Sequence, residues 1–219
     1  MAAKLYGLKT VFTEHSLFGF HDAAGINLNK LLKWAVRDLD AAICVSNACK
    51  DNFCLRTKFN PNSCFTIPNA VDSLRFYPDL NKKKTSTINV VYVSRLMYRK
   101  GVDLLIGLIP LIVSQFPHVN FIIGGDGDKM PAIRSLIDKL ELHDRVELLG
   151  SLEHGQVRDV LCRGDIFLNT SLTESFCIAI LEAACCGLLV VTTDVGGVPE
   201  VLPPEMAFLA KPTVEALHG

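Results

Sequence analysis

Short apolar runs rich in β-branched residues alternate along the chain with longer stretches of helical spacing. Residues 88–94 form a largely apolar run, which is typical of a strand buried on both faces of a parallel sheet. Residues 26–37 carry leucine and alanine at three- and four-residue intervals, which predicts a helix. The alternation predicts an α/β fold with a doubly wound parallel sheet. The predicted strands are 10–13, 41–45, 65–67, 88–94, 119–123, 146–149, 166–168, 188–192 and 206–209, and the predicted helices are 26–37, 46–57 (with Ser46 as N-cap), 101–116 (interrupted or bent near Pro110), 129–140, 154–162 and 176–186.

The polar segment 81–87 divides these elements unequally, since three predicted strands precede it and six follow it. We interpret this segment as an interdomain linker or a long surface loop. The sequence therefore predicts two domains. Residues 1–80 form an incomplete α/β unit, and residues 81–219 form a nearly complete one.

Composition narrows the function classes. The chain has 219 residues, of which 49% are hydrophobic and 21% charged, so it contains ample material for a folded core. A formal net charge of −1 argues against electrostatic capture of nucleic acid, and we expect no nucleic-acid partner. The eight cysteines include no C-x-x-C pair, so we expect no metal site and interpret the cysteines as small buried side chains. No apolar run reaches the 18 residues that indicate a membrane-spanning helix.

Candidate chemistry lies just after the predicted strands, because ligands bind at the carboxyl ends of parallel strands. Arg95 and Lys100 flank a loop that follows the strand 88–94, and Gly101 then opens a helix. Two cations beside a helix N-terminus form a favourable phosphate site, since free N–H groups and the helix dipole add to their charge. The alternative interpretation is a solvated basic loop.

A glycine-rich turn, Gly124-Gly125-Asp126-Gly127, stands between another predicted strand and its helix. Glycine lets the backbone approach a ligand closely, which makes Gly125 and Gly127 candidate binding residues. The turn is not the dinucleotide fingerprint G-x-G-x-x-G, because position 130 is methionine. A tight strand-to-helix turn without a ligand is the alternative.

Two glutamates mark the predicted helix 176–186. Glu182 lies among Ile, Leu and Ala residues, and a carboxylate in such surroundings is costly unless a donor such as a ribose hydroxyl meets it. Glu174 is expected at the start of that helix, where negative charge suits the dipole. His15 follows the first predicted strand and is a candidate donor to a substrate oxygen. The alternatives are an N-terminal acid with a partly exposed Glu, and a structural histidine.

These motifs together resemble those of the retaining glycosyltransferases with the GT-B fold. Glu174 and Glu182 have the E-x7-E spacing of that family, and segments 67–72, 94–101, 124–127 and 196–200 match its other motifs in the same order. Segments 11–20, 121–125 and 171–177 are similar to the branch of the family that begins glycosylphosphatidylinositol (GPI)-anchor synthesis. Cys177 departs from the family, which has glycine after E-S-F.

The resemblance implies a GT-B type fold of two Rossmann-like domains, the N-terminal one (1–80, acceptor side) incomplete and the C-terminal one (81–219) binding a nucleotide sugar. It implies transfer of N-acetylglucosamine from UDP-N-acetylglucosamine (UDP-GlcNAc) to phosphatidylinositol with retention of configuration. Arg95 and Lys100 would hold the diphosphate, and Glu182 the ribose. Gly125 and Gly127 would line the donor site. His15 and Glu174 are the expected catalytic residues, and Glu174 also contacts the donor sugar. No cofactor or metal is implied.

The resemblance also implies other subunits of a membrane-bound transferase complex and a location on the cytoplasmic face of the endoplasmic reticulum membrane, reached through partners or a missing C-terminal anchor. Relative to the family, the chain is expected to be truncated at both ends, and this short form is expected to be weakly active or inactive. The alternatives are a non-catalytic subunit or interaction module and a retaining glycosyltransferase with another donor or acceptor. The failed glycine fingerprint disfavours a nicotinamide-dependent oxidoreductase.

Overall fold

A computed structural model describes residues 2–19, 23–83 and 86–219. Phe20 of the segment 11–20, and Lys84 and Thr85 of the polar segment 81–87, lie outside these residues. The described part of the chain contains two parallel sheets. The first sheet has the order β1-β2-β3, with strands β1 (Val11–Glu14), β2 (Ala41–Cys44) and β3 (Cys64–Thr66) and helices α1 (Ala2–Leu5), α2 (Ala23–Val36) and α3 (Asn47–Thr57).

The second sheet has six parallel strands in the order β6-β5-β4-β7-β8-β9. Its strands are β4 (Ile88–Val93), β5 (Val119–Gly124), β6 (Val146–Gly150), β7 (Ile166–Asn169), β8 (Leu189–Thr193) and β9 (Ala207–Ala210). Its helices are α4 (Val102–Gln115), α5 (Met130–Lys139), α6 (His154–Leu161), α7 (Ile178–Cys185) and α8 (Val214–His218). The three strands predicted before residue 80 and the six after it are therefore confirmed.

The residues group by mutual contact into two compact units. Unit 1 comprises residues up to 69 together with 174–176 and 196–200, and unit 2 comprises the rest. These groups do not test the domain ranges 1–80 and 81–219, which stay a prediction. Unit 2 has a core in which Leu105 and Ile109 of α4 and Ile133 of α5 pack with Phe121 and Ile123 of β5. In the described residues, no helix combines the length and apolar character that a membrane span requires.

Local sequence signals place several helix ends correctly. The Ser46 hydroxyl accepts a hydrogen bond from the Cys49 N–H over 3.0 Å, so Ser46 is the N-cap of α3 as predicted. Gly187 follows the end of α7 with φ +80°, a conformation that favours glycine. Six of the eight cysteines are buried, in agreement with their interpretation as small apolar side chains.

Two details of the predicted helices are wrong. The helix predicted over 176–186 begins at Ile178, because Cys177 is extended (φ −90°, ψ 94°), so Glu174 lies outside its first turn. Glu174 therefore gains no stabilisation as a first-turn acid of α7. The helix predicted over 101–116 is not interrupted at Pro110 and runs through that residue from Val102 to Gln115, while the alternative, a bend there, stays a prediction.

Candidate functional site

The carboxyl edge of the second sheet has a topological switch point. The chain fills positions on one side of β4 with β5 and β6, and then places β7 on the other side. The loops that follow β4 and β7 therefore leave in opposite directions and open a crevice, where parallel sheets bind ligands. The β4 loop carries Arg95 and Lys100, and the residues after β7 begin with Thr170.

Side-chain hydroxyls fix the β4 loop at the start of α4. The Lys100 carbonyl accepts hydrogen bonds from the Tyr92 hydroxyl over 2.8 Å and from the Thr170 hydroxyl over 3.0 Å. The Leu172 N–H donates to the Arg99 carbonyl over 2.9 Å. These bonds hold Lys100 two residues before Val102, the first residue of α4. Arg95 is exposed, and its guanidinium forms no ion pair with any described residue.

The glycine turn after β5 packs against this loop. A Cβ on Gly125 would lie 1.8 Å from the Ser94 carbonyl oxygen, and one on Gly127 would lie 2.3 Å from the Leu96 carbonyl oxygen. The Leu96 N–H donates to the Asp126 carbonyl over 2.9 Å. Both glycines thus serve the close approach of two loop backbones, and their role toward a ligand stays a prediction.

Glu182 lies on α7 and is half-buried. Burial raises the pKa of this carboxyl, and the nearby His154 imidazole offsets part of the rise. None of the described residues donates a hydrogen bond to its side chain. The site therefore keeps a poorly solvated carboxylate with open acceptor positions, which suits the hydroxyls of a bound ligand.

His15 and Glu174 belong to unit 1. His15 is exposed directly after β1, and its carbonyl accepts a hydrogen bond from the Ser175 hydroxyl. The Glu174 carbonyl accepts from the Gly197 N–H over 2.9 Å. The structure thus brings the segments around His15 and Glu174 together within this unit, and their catalytic roles stay a prediction.

Sequence reasoning missed two groups that hold this part of unit 1. The Glu200 carboxylate accepts from the N–H groups of Asn47 and Ala48 at the start of α3, over 2.6 and 2.9 Å. The Arg56 guanidinium donates to the Glu14 carboxylate over 2.8 Å, and the other Glu14 oxygen accepts from the Ser16 N–H. The partners are separated by 153, 152 and 42 residues along the chain for the first three of these bonds, so no local spacing signals them.

Two family profiles match the sequence. "Glycosyl transferases group 1" matches residues 75–219, and "Glycosyltransferase Family 4" matches residues 1–75. A phosphatidylinositol N-acetylglucosaminyltransferase subunit of Arabidopsis thaliana is 52% identical over 97% of this chain, and its counterpart of the same name in Homo sapiens is 54% identical over 98%. The chain spans 47% and 44% of the lengths of these two relatives.

Solved structures share the fold. Anabaena HepE in complex with UDP and glucose aligns with a TM-score of 0.79 and 22% identity, over 99% of this chain and 62% of that one. Sucrose-phosphate synthase from Thermosynechococcus elongatus aligns with a TM-score of 0.80 and 22% identity, over 99% of this chain and 59% of that one. At such identities the likeness concerns the fold alone, and it confirms the α/β fold of GT-B type.

Proposed function

The chain belongs to the glycosyl transferases group 1 family, and from this premise we propose that it transfers N-acetylglucosamine from UDP-GlcNAc to phosphatidylinositol. This reaction is the first step of GPI-anchor synthesis. The names of the Arabidopsis and human relatives support the transferred sugar and the acceptor. The observation that carries the proposal is the edge of unit 2 where Arg95 and Lys100 precede the first turn of α4.

We assign the nucleotide of the donor to this edge. The diphosphate is doubly anionic, and Arg95, Lys100 and the first N–H groups of α4 supply positive charge and donors for it. The same charges stabilise the UDP leaving group as the bond to the sugar breaks. The Glu182 carboxylate accepts hydrogen bonds from the ribose hydroxyls, which restores the solvation that burial removes. Gly125 and Gly127 let backbone approach the donor.

We assign the sugar and the reacting centre to His15 and Glu174. The imidazole of His15 is exposed and can donate to a sugar oxygen, and Glu174 accepts from sugar hydroxyls. Retention without a carboxylate nucleophile is compatible with a front-face displacement, in which the leaving phosphate oxygen accepts the proton of the inositol hydroxyl. No second carboxylate at glycosidase spacing is then required.

We further propose the setting of the reaction. The relatives are named as subunits, which supports assembly with further subunits of a membrane-bound transferase. A lipid acceptor requires that the complex work at a membrane, and we propose the cytoplasmic face of the endoplasmic reticulum. Partners, or a segment that the longer relatives carry, would hold the chain there.

Removing either the proposed contact to the diphosphate or the proposed contact to the ribose is expected to weaken UDP binding. Arg95→Ala deletes a charge-assisted contact to phosphate, and Glu182→Gln replaces an ionised acceptor of ribose hydroxyls with a neutral amide. Each change is expected to raise the dissociation constant by about tenfold or more. Isothermal titration calorimetry with UDP measures this. Arg134→Ala, an exposed arginine on α5, is the matched control and should bind as the unchanged chain does. Unchanged UDP affinity in both test variants would sink the assignment of roles.

The proposed reaction itself is tested in a chimera, because the chain spans about half the length of its relatives. The matching segment of the human relative is replaced by these 219 residues, and the chimera is expressed in cells that lack the corresponding protein. Membranes given labelled UDP-GlcNAc and phosphatidylinositol are expected to form labelled glycolipid. Lys100→Ala in the chimera should lower that product by about a hundredfold or more, and the 219-residue chain alone should form little. A stable, assembled chimera that forms no product would contradict the proposal.

A further inference from the structure

Unit 1 contains a cavity of about 500 Å³ whose wall is strongly basic. It lies beside the residues that precede β2 and β3, at the edge of the first sheet opposite His15. Among the described residues, no carboxylate lines it. The charged and aromatic lining residues are Lys30, Lys33, Trp34, Arg37, Lys58 and Phe59. Four cations on one cavity stand out in a chain whose formal net charge is −1.

The helix dipole explains only part of this cluster. Arg37 and Lys58 directly follow the C-terminal ends of α2 and α3, where positive charge is favourable. Lys30 lies in the middle of α2, beyond the reach of that effect, yet it lines the same cavity as Lys33. Arg37 contacts the Asp38 carboxylate over 3.4 Å, whereas no carboxylate in the described part of the chain pairs with Lys30, Lys33 or Lys58.

The backbone at Lys58 is a second observation. Lys58 caps α3 in the left-handed conformation, with φ 58° and ψ 30°, a position where glycine is normally favoured. A lysine there bears a conformational cost that glycine would avoid. A function of the lysine side chain would explain why lysine stands there despite this cost. The side chain adds a fourth cation to the cavity.

We propose that this cavity binds a phosphate-bearing ligand of the size of a sugar or polyol phosphate, either free or presented as a lipid headgroup. A phosphate offers three acceptor oxygens and up to two negative charges, so it can engage several cations together. The volume lies within the range of small-molecule sites and exceeds what a bare phosphate fills. Asn60 and Ser63 add neutral donors for hydroxyls, and Trp34 and Phe59 provide apolar wall.

Trp34 is the only tryptophan in the sequence, so its fluorescence reports this cavity directly. The purified chain is titrated with inositol 1-phosphate and, separately, with phosphatidylcholine vesicles that contain or lack phosphatidylinositol. We expect a saturable change with inositol 1-phosphate or with the vesicles that contain phosphatidylinositol, and none with vesicles of zwitterionic phosphatidylcholine alone. The anionic probe that responds identifies the source. Phosphatidylinositol is also the proposed acceptor, so the response is assigned to this cavity by the variants of Lys33 and Lys58. Neither titration uses UDP or measures sugar transfer, so a failure here leaves the test of the proposed reaction unchanged.

Two variants separate binding from folding. Lys33→Gln removes an exposed cation, and Lys58→Gly removes another while relieving the left-handed backbone, so neither is expected to unfold the unit. Each should raise the dissociation constant obtained from the fluorescence titration by roughly fivefold, and this difference from the unchanged chain should shrink at high salt. Lys139→Gln on α5 is the control and should bind unchanged. No saturable change in either arm, or unchanged binding in both variants, would overturn the proposal.

Discussion

Arg56→Ala is expected to lower the free energy of unfolding of unit 1 by about 3–5 kcal/mol. The Arg56 side chain is fully buried and donates to the Glu14 carboxylate, whose side chain is 7% exposed. A further guanidinium nitrogen lies 3.5 Å from the Asn29 amide oxygen, and the guanidinium stacks 5.0 Å from the centre of the Phe18 ring. Alanine removes the cation and leaves the buried carboxylate without a charge partner, which costs more than the pair itself contributes.

Urea unfolding followed by Trp34 fluorescence measures this change, since Trp34 lies on α2 of the same unit. The double variant Glu14→Gln with Arg56→Met removes both charges and is expected to recover most of the loss. Lys50→Ala on the same helix is the control, with an expected change within about 0.5 kcal/mol. A loss below about 1 kcal/mol in Arg56→Ala would show that Glu14 is solvated well enough without its partner.

The same pair positions the segment that carries His15. The second oxygen of Glu14 accepts from the Ser16 N–H over 2.9 Å, so the carboxylate spans the backbone on both sides of His15. Arg56 thus acts on the proposed reaction through Glu14, as a positioning residue. Any loss of sugar transfer in Arg56→Ala is expected to be recovered in part by Arg56→Lys, which restores a cation with poorer geometry.

Local patterns in the sequence predicted the elements well. Runs such as 88–94 and 119–123 became strands because β-branched and apolar residues suit a sheet buried on both faces. The Ser46 cap and the glycine after α7 were also predictable, since both depend on bonds within a few residues. The location of Arg95 and Lys100 at the carboxyl edge of the sheet, before α4, was predictable from the topology alone.

Features that depend on contacts between distant residues escaped prediction. The sequence predicts helix α3 without singling out Arg56, whose burial depends on Glu14 and Asn29 from other elements. The error at Glu174 is local instead: it looks like a helix-start acid, but the extended backbone at Cys177 delays α7 until Ile178. Gly125 signals a close approach without saying to what, and the structure shows the neighbouring Ser94 backbone there.

Gly101→Ala is expected to destabilise unit 2 by roughly 2–5 kcal/mol. Gly101 has φ +67° and ψ 32°, a left-handed conformation that costs an alanine roughly 1–2 kcal/mol. A Cβ there would also lie 1.7 Å from the Thr170 carbonyl oxygen and 2.7 Å from its carbon, so backbone must move. The overpacking adds about 1–3 kcal/mol.

Gly150→Ala separates the two causes of this loss. Gly150 has φ +72°, and a Cβ there would meet nothing within 4 Å, so it bears the conformational cost without the clash. Hydrogen exchange of the α4 amides in increasing urea reports the stability of unit 2, and Gly101→Ala is expected to exchange faster than Gly150→Ala. Displacing Thr170 would also leave the Lys100 carbonyl with only its bond from the Tyr92 hydroxyl, so UDP affinity should fall in Gly101→Ala and persist in Gly150→Ala. Equal exchange and equal UDP affinity in the two variants would contradict this prediction. The loops after β4 and β7 would then separate freely. Lys100 would lack the rigid support on which its proposed contact with the diphosphate depends.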